Sequence, residues 1–191
     1  MRLSNTRVPL PDVIPAEITF AWTRRPMNIL RPAATVLGIL LDGSGRIPSV
    51  GHAAFSGQPE TSCGALRLAS PLEFVSGLPS RHMPFDEDEI FSETFFFDPE
   101  AVPGDVRQLA FLLHIEDARG SNMSTWDVEN LMVATRTHAF WHQRGDRGAR
   151  ARWLAFLARE GDGSWSFGRA QGFETREGLD VLGDMLAAAA A

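Results

Sequence analysis

The sequence predicts a mainly β domain, a two-sheet β-sandwich that ends in a short C-terminal helix. Two observations carry the prediction. Many short segments rich in Phe, Trp, Val and Leu alternate between apolar and polar residues, or stay apolar, over the length of a strand. Turn signals such as Gly161-Asp162-Gly163 separate these segments. No repeat of fixed period and no break in composition divides the chain, so residues 1–191 are assigned to one domain.

The individual elements follow from local patterns. Pro9, Pro11 and Pro15 predict that residues 1–15 form an extended lead-in or an edge segment, because proline cannot donate to a ladder. The mainly apolar segment Val106–Ile115 is expected at the centre of the fold, buried on both faces. The remaining predicted strands are Glu17–Thr23, Ala34–Leu41, a return strand near Val50–Phe55, Cys63–Leu68, Ile90–Phe97, Trp126–Ala134, Ala151–Arg159 and Trp165–Ala170.

Two further segments differ from strands. Residues 70–85 contain three prolines and a glycine and predict a long loop. Leu179, Leu182 and Leu186 recur at helical spacing in Ala-rich sequence, which predicts a helix over Leu179–Ala191. Residues 187–191 are expected to form its frayed tail.

Composition narrows the class of protein. The net charge is −6 and every one of the 18 basic residues is Arg, so generic nucleic-acid binding is not favoured. Cys63 is the only cysteine, which excludes an intramolecular disulfide and a Cys-based zinc site. No apolar stretch is long enough to span a bilayer and no secretory leader is evident, so we expect a cytoplasmic protein without a membrane partner.

Several motifs in order resemble one known family. The stretch Ala101–Val106 reads AVPGDV and leads into an apolar run that ends Ile115-Glu116-Asp117-Ala118. The segment Thr125–Leu131 follows, and Trp165-Ser166-Phe167 with Gln171-Gly172-Phe173 closes the pattern. Together they resemble the tellurium-resistance TerD family, closely over residues 86–186 and loosely before them. The resemblance implies a calcium-binding β-sandwich of bacterial stress operons, and hence a non-enzymatic module that binds a protein partner or itself.

The implied calcium site is degenerate in this sequence. Acidic side chains cluster directly before one predicted strand, and Asp117 follows another. Calcium prefers six to eight oxygen ligands, including several carboxylates. The family's Asp-rich segment corresponds to Ala34–Leu41, which has no carboxylate until Asp42, and Thr23 stands where the family has Asp. A weak or lost site, or simply a solvated acidic loop, is therefore favoured. The candidate metal ligands are Asp86, Asp88, Glu89 and Asp117, with Glu87 between them.

Three alternatives stay open. An enzyme site could lie between the 70–85 loop and His114 or Asp117, although no phosphate loop or nucleophile elbow assigns a catalytic residue. The Arg144–Arg152 segment could bind nucleic acid, with Trp141 and Trp153 beside it, or form a plain Arg/Gly loop. His138 and His142 could hold zinc on a helix, whereas on a strand they would lie about 13 Å apart.

Overall fold

The structure is a computed structural model that describes residues 2–10, 15–24, 34–69, 90–115, 124–143, 145 and 147–171. These residues form two antiparallel sheets that enclose an apolar core, which confirms the predicted mainly β, two-sheet architecture. The strands are β1 Arg2–Pro9, β2 Ala16–Arg24, β3 Ala34–Asp42, β4 Ala53–Ala54, β5 Leu66–Leu68, β6 Ile90–Phe97, β7 Val106–Ile115, β8 Val128–Thr135, β9 Ala139–Trp141, β10 Ala151–Arg159 and β11 Trp165–Gln171.

The order of the strands explains which of them are buried on both faces. The six-stranded sheet has the order β1-β11-β10-β7-β3-β4, and the five-stranded sheet has the order β5-β6-β2-β8-β9. Strand β7 pairs with β3 on one side and β10 on the other, so the predicted central segment lies at the centre of its sheet. The Pro-containing lead-in is an edge strand, β1, which pairs with β11.

Aromatic rings from both sheets meet in the core between them. Phe20 of β2 lies 4.8 Å from Phe111 of β7 and 6.0 Å from Phe95 of β6, measured between ring centroids. All three are fully buried, and each such side chain contributes about 1.5–3 kcal/mol to stability. Gly38 of β3 faces the same space, where a Cβ atom would lie 2.4 Å from the Cδ2 atom of Leu66. A larger residue at this position would therefore force the Leu66 side chain to move.

A second apolar cluster explains why three strands carry apolar residues on both of their faces. Leu37 of β3, Leu112 of β7 and Trp153 and Phe156 of β10 are buried together, apart from the core between the sheets. Because these strands bury both faces, their sequences lack the alternation of a half-exposed strand.

The turn predicted at Gly161-Asp162-Gly163 joins β10 to β11. Asp162 accepts hydrogen bonds from the backbone N–H and the hydroxyl of Ser164, at 3.0 and 2.6 Å. These bonds, the hydroxyl first, hold the pKa of Asp162 below its ordinary value. Gly163 has φ +88°, a conformation that residues with a side chain rarely adopt. The sequence therefore predicted this hairpin from its local chemistry.

Several local predictions need correction. The return strand near Val50–Phe55 is only the two residues of β4, preceded by a 3-10 turn at Val50–His52. Strand β8 begins at Val128, because Thr125–Asp127 forms a 3-10 turn capped reciprocally by Ser124 and Asp127. Strand β9 was not predicted, since three residues are too few to show a period.

Other predictions lie outside the described residues. These are the 70–85 loop, the Leu179–Ala191 helix and its tail at 187–191. The assignment of residues 1–191 to a single domain stays a prediction. In the part of the chain that the structure describes, no helix is long and apolar enough to cross a membrane.

Candidate functional site

All of the predicted calcium ligands lie outside the described residues. This holds for Asp86, Asp88, Glu89 and Asp117. The nearest described positions are Ile90, where β6 begins, and the end of β7. The calcium prediction therefore stays a prediction, and the structure bears only on the strands that flank these residues.

Those flanking strands meet at one end of the sandwich. Thr23, near the end of β2, pairs with Ile90 at the start of β6. Ala34 at the start of β3 pairs with Ile115 at the end of β7. Contacts of Glu93 with β3 join the two sheets here, and we call this the Glu93 end. The start of β6 and the end of β7 thus lie at the same end of the sandwich. These two termini are the described positions next in sequence to the acidic residues 86–89 and to Asp117.

Glu93 is the described carboxylate that faces the space between the sheets at this end. It lies opposite Phe20 in the β2–β6 ladder and so shares the face of that buried ring. One carboxylate oxygen accepts from the backbone N–H of Val36 at 2.7 Å, and the other accepts from the Thr35 hydroxyl at 3.0 Å. Both oxygens of Glu93 therefore already bond to protein donors on β3.

Thr23 stands where the resemblance implies an aspartate. Its hydroxyl accepts from the side-chain amide of Asn130 at 2.9 Å and donates to the carbonyl of Glu129 at 3.4 Å. Asn130 has φ 51°, which asparagine tolerates better than most residues. A neutral hydrogen-bonded pair thus occupies a position where a carboxylate would supply both charge and a ligand oxygen.

The described residues of the Glu93 end do not fit a calcium ion. No group of three or more His, Cys, Asp or Glu side chains suitable for a metal is found among the residues that the structure describes. The ligands of any calcium ion here would have to come mainly from residues 86–89 and Asp117.

The histidines considered from the sequence have separate environments. His114 is half-buried in β7, paired with Thr35 and Ala151 on the neighbouring strands. His138 is exposed and its Nδ1 lies 2.9 Å from the Thr137 hydroxyl. His142 follows β9 and is buried. Of the residues named for the enzyme alternative, His114 is the one that lies within the described residues. The two candidate zinc ligands, His138 and His142, differ in exposure.

The described arginines of the 144–152 segment differ in burial. Arg144 lies outside the described residues. The Arg147 guanidinium lies 5.0 Å from the ring centroid of Trp126. Arg152 is buried within β10, where it donates to the carbonyl of Gln143. The sequence alone gave no sign that Arg152 would point into the protein.

A cleft of about 740 Å³ opens at the other end of the sandwich. Its apolar wall includes Leu10, Pro99 and Trp165. On its rim, Glu160 accepts from the hydroxyl of Ser166 and from the Arg7 guanidinium at 3.0 Å. These bonds, Ser166 first, lower the pKa of Glu160 and make it a weak base. The cleft was not predicted, because the pairing of β1 with β11 cannot be read from either segment.

These features define a fold class, a β-sandwich of two antiparallel sheets. No protein-family model matches the sequence, and no curated protein matches it. Among solved structures, the chain resembles a homologue of the telluride resistance protein TerD from Streptomyces coelicolor A3(2). The two are 15% identical with a TM-score of 0.59, over 87% of this chain and 94% of that chain.

The chain also resembles SAV2460, described as a protein of unknown function. That likeness has 13% identity and a TM-score of 0.54, and it covers 87% of this chain and 94% of the other. The likeness to the TerD homologue confirms the predicted resemblance to TerD at the level of the fold.

Proposed function

We propose that this protein is a diverged TerD-type module of a bacterial stress system that acts by binding or assembly and not by catalysis. The supporting observation is its likeness to a TerD homologue over 87% of the chain. Its partner is another protein or a second copy of itself. Light scattering of the purified protein over a range of concentrations distinguishes the two, since only self-association raises the mass of the protein alone.

The calcium site of this module is degenerate. Support comes from the donors at the Glu93 end: Glu93 bonds to Val36 and Thr35, and Thr23 bonds to Asn130. Each missing carboxylate removes both a ligand oxygen and a negative charge, so affinity falls. We expect any remaining calcium binding through residues 86–89 and Asp117 to be weaker than about 10⁻⁴ M.

Calorimetric titration of the full chain with calcium tests the degenerate site. The informative variant is Asp88→Ala, and the matched control is Asp105→Ala, an exposed residue before β7. Binding that is weak or absent in all three proteins agrees with the proposal. Tight binding that Asp88→Ala abolishes and Asp105→Ala preserves would instead demonstrate a retained calcium site.

A growth assay tests the link to stress. The chain is expressed in a tellurite-sensitive bacterial host, and survival is compared with an empty vector across tellurite concentrations. We expect survival to increase, and Asp88→Ala to protect as well as the wild type because calcium is not required. Equal survival with the empty vector would count against a tellurium-resistance role.

A further inference from the structure

Two arginines and a histidine lie together between the sheets, away from the Glu93 contacts. Phe140 of β9 packs on Phe167 of β11, with ring centroids 5.5 Å apart. His142 and Arg169 each lie two residues further along, so they continue on the same inner side of their segments. Arg152 enters the same space from β10 and is only 7% exposed. We call these three residues the Arg-His cluster.

Polar atoms of His142 and Arg169 in this cluster have no hydrogen-bond partner in the protein. His142 is only 8% exposed, and neither of its ring nitrogens has a hydrogen-bond partner. The Nε atom of Arg169 is likewise buried without a partner. No carboxylate among the described residues bonds His142 or Arg169. Buried polar groups in folded proteins are nearly always paired, so these atoms indicate a missing partner.

The charges of the cluster indicate which kind of ligand it can bind. Burial, then the positive charges of Arg152 and Arg169, lower the pKa of His142 to about 3. The ring is therefore neutral near pH 7, with one nitrogen able to donate, and it lies close to the guanidinium groups of Arg152 and Arg169. Arginine presents a planar fork of N–H donors that matches an oxyanion and is held rigidly when buried. A negative group with several acceptor oxygens would pair with both the His142 ring and the Arg169 guanidinium.

We propose that the Arg-His cluster is a binding site for a small inorganic oxyanion of the phosphate or sulfate type. Arg169 and Arg152 bind the oxygens through their guanidinium groups, and His142 donates one N–H. Arg152 and His142 are almost completely buried, so the ligand must be small. A nucleotide would have to place its sugar and base between the sheets. The proposed ligands include none of the residues 86–89 and not Asp117.

Titration of the full chain with sodium phosphate, and separately with sodium sulfate, tests the site. Sodium chloride at the same ionic strength controls for screening, and AMP distinguishes a free anion from a phosphate carried on a larger molecule. We expect saturable binding of phosphate and sulfate, and none of AMP. Arg169→Gln should weaken this binding at least tenfold, whereas Arg159→Gln, on the rim of the distant cleft, should leave it unchanged.

His142→Gln provides a second variant in case Arg169→Gln does not fold. Glutamine retains one donor but not the ring geometry, so we expect a smaller loss of affinity than in Arg169→Gln. The absence of a saturable response to phosphate and sulfate in the wild type would overturn the proposal. Equal affinities in Arg169→Gln, His142→Gln and Arg159→Gln would also overturn it, because the anion would then bind elsewhere.

Discussion

His142 should make the stability of the protein depend on pH between pH 7 and pH 5, above the range in which most carboxylates titrate. Its pKa falls from 6.5 to about 3 on folding, because the buried ring loses water and faces Arg152 and Arg169. Between these two pH values the unfolded chain binds a proton at His142 that the folded chain does not. The free energy of unfolding therefore rises with pH in this window and falls as the solution is acidified.

The size of the effect follows from the two pKa values. A difference of one bound proton changes the free energy of unfolding by about 1.4 kcal/mol per pH unit. Because the unfolded histidine is only partly protonated near pH 6.5, the loss between pH 7 and pH 5 amounts to about 2 kcal/mol. The lowered pKa values of Asp42, Glu160 and Asp162 act in the same direction, but below about pH 4.5.

Urea unfolding at pH 7, 6 and 5 in phosphate-free buffer measures this dependence. Wild-type protein should lose about 2 kcal/mol more than His142→Gln between pH 7 and pH 5, because glutamine does not titrate. His138→Gln is the matched control, since His138 is exposed in the turn before β9 and should leave the pH dependence unchanged. Equal pH dependence in wild type and His142→Gln would refute the reasoning that a buried, neutral imidazole lies beside two guanidinium groups.

Three further substitutions test the packing, the junction of the sheets and the hairpin. Gly38→Ala should destabilise the protein by about 1–3 kcal/mol in urea unfolding, because its Cβ atom would lie 2.4 Å from Leu66. Glu93→Ala should cost about 1–3 kcal/mol in the same assay, since it leaves the Val36 N–H without this acceptor. Gly163→Ala should destabilise the folded state by about 1–2 kcal/mol, because alanine rarely adopts a φ of +88°. The destabilisation would be measured as a lower midpoint of thermal unfolding.

Each of these substitutions has a matched control. Gly104→Ala has no atom within 4 Å of the added Cβ and no positive φ, so it should be nearly neutral. Glu100→Ala removes an exposed carboxylate and controls for charge in Glu93→Ala. If Gly38→Ala proved as stable as Gly104→Ala, the close packing of β3 on Leu66 would be wrong. A stable Glu93→Ala would mean that this carboxylate does not hold the sheets together.

The main strands could be predicted because each carries its own signal. Residues 106–115 form a mainly apolar segment that is long enough for a strand, so its burial follows from the hydrophobic effect. The turn at Asp162 and Gly163 is equally local, since an aspartate that accepts from a residue two positions later needs no distant partner. Order and spacing of such motifs were enough to indicate the TerD fold.

The candidate sites depended on contacts that no local pattern encodes. Glu93 bonds to β3 across 57 and 58 positions of sequence, and its neighbours in the chain do not reveal that partner. His142 was considered with His138 because they are four residues apart, yet pairing with β8 buries one and leaves the other exposed. Arg152 belonged to a basic segment in the sequence, but the start of β10 turns it inward.

By itself, the sequence determined the class of fold, the central strand and the hairpin turn between β10 and β11, because apolar periodicity and turn chemistry act over a few residues. Only the tertiary structure decided that Glu93 joins the sheets and that Arg152, Arg169 and His142 face one another. Those outcomes require two sheets to stack in one register, and a strand's register depends on its partner as much as on its own residues.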